Sequence, residues 1–213
     1  MDSNINMKII SFNCGGLSSV KVANIKHYLQ HNAVHILCVQ ETRLSGECVR
    51  PIPGYHLESK NHVNASGCVA GGLALYIRHD IQYEVLQAAD PLRGDGTTAI
   101  EVLAIAVHPA KHGSFTLANV YSRGCSIQAL RSLESSLRSC SRHHKFLFTG
   151  DFNAHHPAWG GSKSCTFGED VCSWMDESGL VVLNDGSPTR FDGQGTTSID
   201  LSIVSAGLGK SSS

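Results

Sequence analysis

Lys145–Gly161 reads KFLFTGDFNAHHPAWGG. An apolar run stops on an acid, Asp151, and an amide, Asn153, stands two positions further on. His155, His156, Pro157 and Trp159 follow. The run itself is short and rich in Phe and Leu, the pattern of a buried strand. In extended chain, residues two apart point the same way, so Asp151 and Asn153 are expected to reach one ligand. A carboxylate beside an amide suits an attacking water. The acid accepts or orients its proton, and the amide fixes its position or holds an oxyanion.

The same pattern recurs outward along the chain. IISF ends on Asn13, HILCVQ on Glu41 and FTLANV on Tyr121. Together with GGLALYIR, AIEVLAIAV, LVVLN and SIDLSIVS, these runs predict eight strands. Three helices are expected among them. Val20–His31 carries Val22, Ile25 and Leu29 at helical spacing. Ser126–Ser141 carries Ile127, Leu130, Leu133 and Leu137 on one face, with Ser126 placed to cap it. A third runs from about Gly168 to Ser178 and is closed by Gly179. Many strands with few helices predict stacked sheets flanked by helices. GCVAGG at 67–72 and RGDGTT at 93–98 read as turns.

If two sheets stack, several of the polar strand ends meet on one rim. Glu41 then offers a hard oxygen ligand, and Mg2+ is typically held by one or two carboxylates plus waters and substrate phosphates. Tyr121 is placed to donate to a phosphoryl oxygen as charge builds. Each residue also has a plainer reading. Glu41 pairs with Arg43, Asp151 begins a turn, and Tyr121 packs in the core. A zinc site at His155 and His156 is disfavoured, because neighbours in a strand point to opposite sides. Trp159 reads as a packed loop anchor rather than a base-stacking platform.

The 213 residues are enough for one large domain with a real core. The 17 Lys and Arg against 18 Asp and Glu give a net charge of -1, which excludes a strong overall footprint for nucleic acid but not a local basic strip. No stretch approaches the roughly 18 apolar residues of a membrane span. MDSNINMKII lacks the apolar core of a signal peptide, so an intracellular location is expected, nuclear where the protein acts. None of the eight cysteines forms a CxxC pair, and free thiols in a reducing compartment are expected. One domain is expected over 1–208, with a loose tail at 209–213.

Taken in order, SFNCGGL, VQET, NVYSRG, GDFNAHHPAWG and SIDLSIVS resemble the endonuclease/exonuclease/phosphatase superfamily, with its DNase I-like fold. GDFNAHHPAWGG followed by LVVLNDGSPTRF is similar, more narrowly, to the endonuclease domain of arthropod non-LTR (LINE-type) retrotransposons. The resemblance implies a four-layered α/β sandwich, two mixed β-sheets packed face to face and flanked by helices. It implies hydrolysis of a phosphodiester bond with Mg2+, or alternatively Mn2+. The substrate is then a target DNA duplex, nicked to expose a 3′-hydroxyl for a reverse transcriptase domain downstream in a full-length element. By the same resemblance Asn13 helps hold the site, Glu41 binds the metal and Tyr121 contacts the scissile phosphate. Asp151 and Asn153 handle the nucleophile or the transition state. Asp200 orients a catalytic histidine, with Ser198 in support.

That histidine lies on a closing Ser-Asp-His strand in the family. Here the 12 histidines all precede Asp200, the last being His156. The expectation is therefore a C-terminally truncated copy that lacks its last strand. Its chemistry should be impaired by about 10²–10⁴-fold, and it should carry an unpaired sheet edge. Two other readings stand beside it. One is a different superfamily activity: abasic-site endonuclease, exonuclease, or inositol or lipid phosphatase. The other is a catalytically dead remnant that binds nucleic acid or protein. Target preference is assigned to the loops at 43–50, 94–98 and 189–197.

Overall fold

The chain runs from Ile9–Asn13 (β1) through a helix, Ser19–Asn32 (α1), into Ile36–Gln40 (β2). The computed structural model describes residues 7–46, 50–64, 66–110, 113–192 and 195–208. The tail expected at 209–213 and parts of the 43–50 and 189–197 loops lie outside them. β2 is buried at every position, as a central strand should be. Tyr55–Lys60 (β3) and Leu73–Arg78 (β4) complete a sheet in the order β1-β2-β4-β3. β1 and β2 run parallel, and α1 makes their crossover.

The second sheet gathers Gln82–Leu86 (β5), Ile100–His108 (β6), Phe115–Ser122 (β7), Phe146–Asp151 (β8) and Leu180–Val182 (β9). Helices Ile127–Cys140 (α2) and Thr166–Ser178 (α3) follow β7 and β8. A hairpin, Arg190–Asp192 (β10) with Gly195–Thr197 (β11), precedes Asp200–Ser205 (β12). The strand order is β5-β6-β7-β8-β12-β9. β7 and β8 are parallel, and β12 lies antiparallel between β8 and β9.

Three apolar clusters separate four layers. Ile36, Cys38, Leu75, Ile105 and Leu117 fill the space between the sheets. Ile25 and Leu29 of α1 cover the first sheet from outside, against Leu37 and Val39. Leu130, Leu133 and Leu137 of α2 join Val171 and Trp174 of α3 over the second. This is the two-sheet α/β sandwich expected. Burying side chains of this size is worth about 1.5–3 kcal/mol each, so these layers supply most of the drive to fold.

All eight strands expected from the sequence form. β3, β5 and the β10–β11 hairpin are additional. β3 and β5 each take one edge of their sheet, opposite β1 and β9, and YHLESK and QYEVL carry charge where a central strand would carry aliphatics. The helices differ at their caps. Ser126 occupies the first cap position of α2 but makes no side-chain cap bond. Asp170 of α3 accepts from the Ile127 N–H instead, at 3.2 Å. α3 starts earlier than expected, at Thr166, because the Cys165 thiol accepts from the Gly168 N–H at 3.4 Å.

One polar bridge crosses the dry interior. Asn119 on β7 is fully buried, and its Nδ2 donates to Val39 O at 3.1 Å and Ala74 O at 3.0 Å in the other sheet. Its Oδ1 accepts from Gln40 Nε2 at 2.7 Å. Asn119→Ala strands several of these groups without water. It should lower unfolding free energy by about 2–4 kcal/mol in urea titration. A loss under about 0.5 kcal/mol would mean the bridge does not lock the sheets.

Candidate active site

Register builds the site. β12 pairs with β8 so that Asp200 faces Asp151, and β8 pairs with β7 so that Asp151 faces Tyr121. The three residues form a row across neighbouring strands. The first sheet adds Asn13 at the end of β1 and Glu41 one residue past β2. Asn13 joins the two sheets, because its Nδ2 donates to Glu41 Oε1 at 2.9 Å and to Asp151 Oδ2 at 2.7 Å. The Gly15 N–H donates to Asn13 Oδ1 at 3.0 Å and sets the amide's orientation. Asn13, Glu41, Asp151 and Asp200 line a cleft of about 610 Å³, together with Arg43, Asn184, Thr189 and Arg190.

The carboxylates are in different states. Burial works to raise the Glu41 pKa, but hydrogen bonds from Asn13, Arg43 and Tyr121, with the Arg43 charge, hold it below the usual range. Arg43 pairs with Glu41 directly. Burial pushes Asp151 up to about 6; the Asn13 hydrogen bond opposes this, and the charge of Asp200 adds to it. Burial and the Glu41 charge push the Tyr121 phenol up to about 12, so it stays a donor at neutral pH. Asp200 is raised by burial against a hydrogen bond from Thr189. Its Oδ1 is buried without a hydrogen-bond partner among the described residues.

Asp151→Asn should therefore stabilise the fold at high pH. The folded pKa of about 6 exceeds the ordinary 3.8, so the folded state holds the proton longer. Stability falls as pH rises from about 4 to about 6, and the cost persists above that. In EDTA the Asn variant should gain up to about 2 kcal/mol at pH 8, a gain that vanishes below pH 4 in thermal melts. A variant that melts lower at pH 8 would mean that the two hydrogen bonds accepted by Asp151 outweigh its burial.

Three expected site residues stand differently: Tyr121 is buried beside the cleft but outside its lining, and Asn153 and Ser198 depart further. Asn153 does not share an extended strand with Asp151, because β8 ends at Asp151 and Asn153 has φ +51°. Its backbone N–H donates to Asp151 Oδ1 at 2.9 Å, while its side chain donates to Ser122 O at 2.7 Å. The pair is coupled by a turn, not by strand alternation. Ser198 is buried outside the cleft lining, where its hydroxyl donates to Ser187 O at 3.1 Å and ties down the loop before β12.

Of the two histidines of the opening stretch, His156 serves the loop with its side chain. His156 Nδ1 accepts from Ala158 N at 3.1 Å and starts a short 3-10 turn, Pro157–Trp159. Trp159 is fully buried, with its indole N–H on Ala154 O at 3.0 Å. Among the described residues, no group of three or more His, Cys, Asp or Glu side chains is placed to hold a metal. A cation of the Mg2+ type asks for less, and the ionised Glu41 in an open polar cleft fits it.

Asn184 and Thr189 were not singled out from the sequence. Asn184 donates to Asp200 O and accepts from Ser202 N, both at 2.9 Å. Thr189 Oγ1 accepts from Asp200 N at 3.2 Å. Asn184 carries the signal that found the others, a polar residue ending the run LVVLN. Thr189 sits in a loop with no such mark.

The family model described as "Endonuclease-reverse transcriptase" matches residues 115–212. The endonuclease domain of TRAS1, a telomere-specific non-LTR retrotransposon, superposes with a TM-score of 0.69 at 18% identity, covering 95% of this chain and 86% of that one. An AP endonuclease from Leishmania major, LMAP, gives 0.67 at 17% identity, covering 97% and 82%. The probable RNA-directed DNA polymerase from transposon BS of Drosophila melanogaster is 26% identical over 186 residues. The transposon match takes in 87% of this chain but only 19% of the transposon polymerase. Residues 115–212 match that family model, and the fold is the DNase I-like α/β sandwich of these nucleases. No helix among the described residues is long and apolar enough to cross a membrane.

Proposed function

We propose that this domain hydrolyses a phosphodiester bond of duplex DNA, as the target-nicking endonuclease domain of a non-LTR retrotransposon. The observation that carries the reading is the Asn13 amide, which holds Glu41 of one sheet and Asp151 of the other at 2.9 and 2.7 Å. Asp151 takes a proton from the attacking water, and its pKa of about 6 makes it a base near neutral pH. The water oxygen bonds to phosphorus as the bond to the 3′-oxygen breaks, and the departing oxygen takes a proton from solvent. Tyr121, whose one phenolic proton goes to Glu41 without substrate, turns it to a phosphoryl oxygen when DNA binds. Asn153 positions rather than reacts, pinning Ser122 next to Tyr121. Glu41 would hold Mg2+, or Mn2+, which would supply Lewis-acid stabilisation of the phosphoryl charge.

Support for a DNA substrate comes from a basic strip that the net charge conceals. Lys21, Arg43 and Arg50 line a second cleft that shares Gly15 and Arg43 with the first. Such side chains neutralise phosphates on either side of a cut. A reverse transcriptase in a full-length element would extend the 3′-hydroxyl so exposed.

The orphaned Asp200 Oδ1 favours a second reading, in which the domain binds DNA but hydrolyses it slowly until a donor engages that oxygen. Conversion of supercoiled plasmid to open circles tests both. The first reading expects nicking with Mg2+ or Mn2+ and none in EDTA. The second expects weak nicking that added imidazole, an N–H donor, accelerates. No nicking under either condition sinks the hydrolytic assignment.

A further inference from the structure

The row that carries Asp200, Asp151 and Tyr121 does not end at Tyr121. β6 places Glu101 opposite it. Glu101 is 2% exposed, an acid within a sheet. Such a charge is retained only where it is paired and hydrogen-bonded. Its Oε2 accepts from the Gly72 N–H at 2.7 Å, and its Oε1 accepts from Arg123 Nη2 at 2.8 Å. His62 Nδ1 stands 4.0 Å from the same oxygen. Gly71, at φ +80°, has no room for a side chain, since a Cβ there would fall within 3.0 Å of both Glu101 Oε1 and Arg123 Nη2. The turn that closes over the pair is also tied to the site, with Arg43 N donating to Gly71 O at 2.8 Å and Thr42 N to Gly72 O at 3.0 Å.

Arg123 itself faces solvent, and its guanidinium lies 4.8 Å from the centroid of the Tyr121 ring. It is therefore held from two sides, by a buried carboxylate and an aromatic face, while its side chain stays 32% exposed. Two strand spacings of about 4.8 Å separate Glu101 from Asp151. That offset suits a phosphate flanking the scissile one.

Building on the DNA-hydrolysis reading, we propose that Arg123 binds a backbone phosphate beside the cleavage point and that Glu101 is the positioning residue that aims it. A structural ion pair would matter to stability alone. A phosphate contact matters to the salt dependence of binding.

The test is duplex DNA binding by fluorescence anisotropy in EDTA, from low to moderate salt, with thermal melts for each variant. Glu101→Gln with Arg123→Gln removes both charges, leaves no buried ion unpaired and keeps the net charge of the chain. The slope of log K against log salt should fall by about 0.9 in the double variant, with several-fold weaker binding. An unchanged slope overturns the contact, whatever happens to the melting temperature. Glu101→Gln alone adds a positive charge, and charge counting predicts tighter binding. Positioning predicts weaker binding with the slope retained, and tighter binding removes Glu101 from the role. Arg123→Lys should keep the slope and lose part of the affinity. A parent chain that does not bind duplex DNA at all overturns this proposal and the DNA reading together. Nicking that survives Asp151→Ala overturns only the assignment of the base.

Discussion

Asp151→Ala is expected to slow plasmid nicking by about 10²–10⁴-fold while leaving a folded protein. Burial pushes the Asp151 pKa to about 6, and Asp151 sits at the centre of the cross-strand row. The substitution removes the proton acceptor and frees the Asn13 amide from one of its two partners. The remaining bond from Asn13 to Glu41 keeps the other carboxylate in place, so loss of rate should exceed loss of DNA affinity. The measurement is initial nicking rate at saturating cation, with duplex affinity measured separately. A variant that nicks within about threefold of the parent would show that another group activates the water.

Gly150→Ala should be the most damaging single substitution one residue away. Gly150 pairs with Val120 on β7 and Leu201 on β12, in the middle of the second sheet. It adopts φ +145°, and a Cβ added there would run into the Val120 carbonyl oxygen well inside 3.0 Å. The neighbour is backbone, not a flexible side-chain tip, so neither strand can yield without breaking ladder hydrogen bonds. A loss of about 3–5 kcal/mol is expected in urea denaturation, enough to unfold much of the population at 37 °C. A loss below about 1 kcal/mol would mean that the sheet shifts there at little cost.

Much of this molecule is legible in its sequence, for identifiable reasons. IISF, HILCVQ, FTLANV and FLFTG are central-strand patterns, and their polar ends mark the rim where two sheets meet. That rule marks Asn13, Glu41 and Asp151, which line the cleft, and Tyr121 beside them in the ladder, and it could have marked Asn184. β3 and β5 escaped because outer strands carry charge and need no continuous apolar run. The turn conformation of Asn153 escaped because alternation holds only while the chain stays extended. Glu101 escaped for another reason. AIEVLAIAV reads as a plain buried strand, and only the register across β6 and β7 shows what its acid faces.

The Asn13 amide reaches Asp151 of the opposite sheet, 138 residues further along the chain. Contacts this distant in sequence are made late, after most of the chain-closure entropy has been spent. A polypeptide emerging from the ribosome can complete its first sheet and still own no cutting chemistry. On the proposed reading, a DNA-breaking tool is armed only by finished folding. A misassembled or partly opened copy is then harmless to the genome around it, without any separate inhibitor.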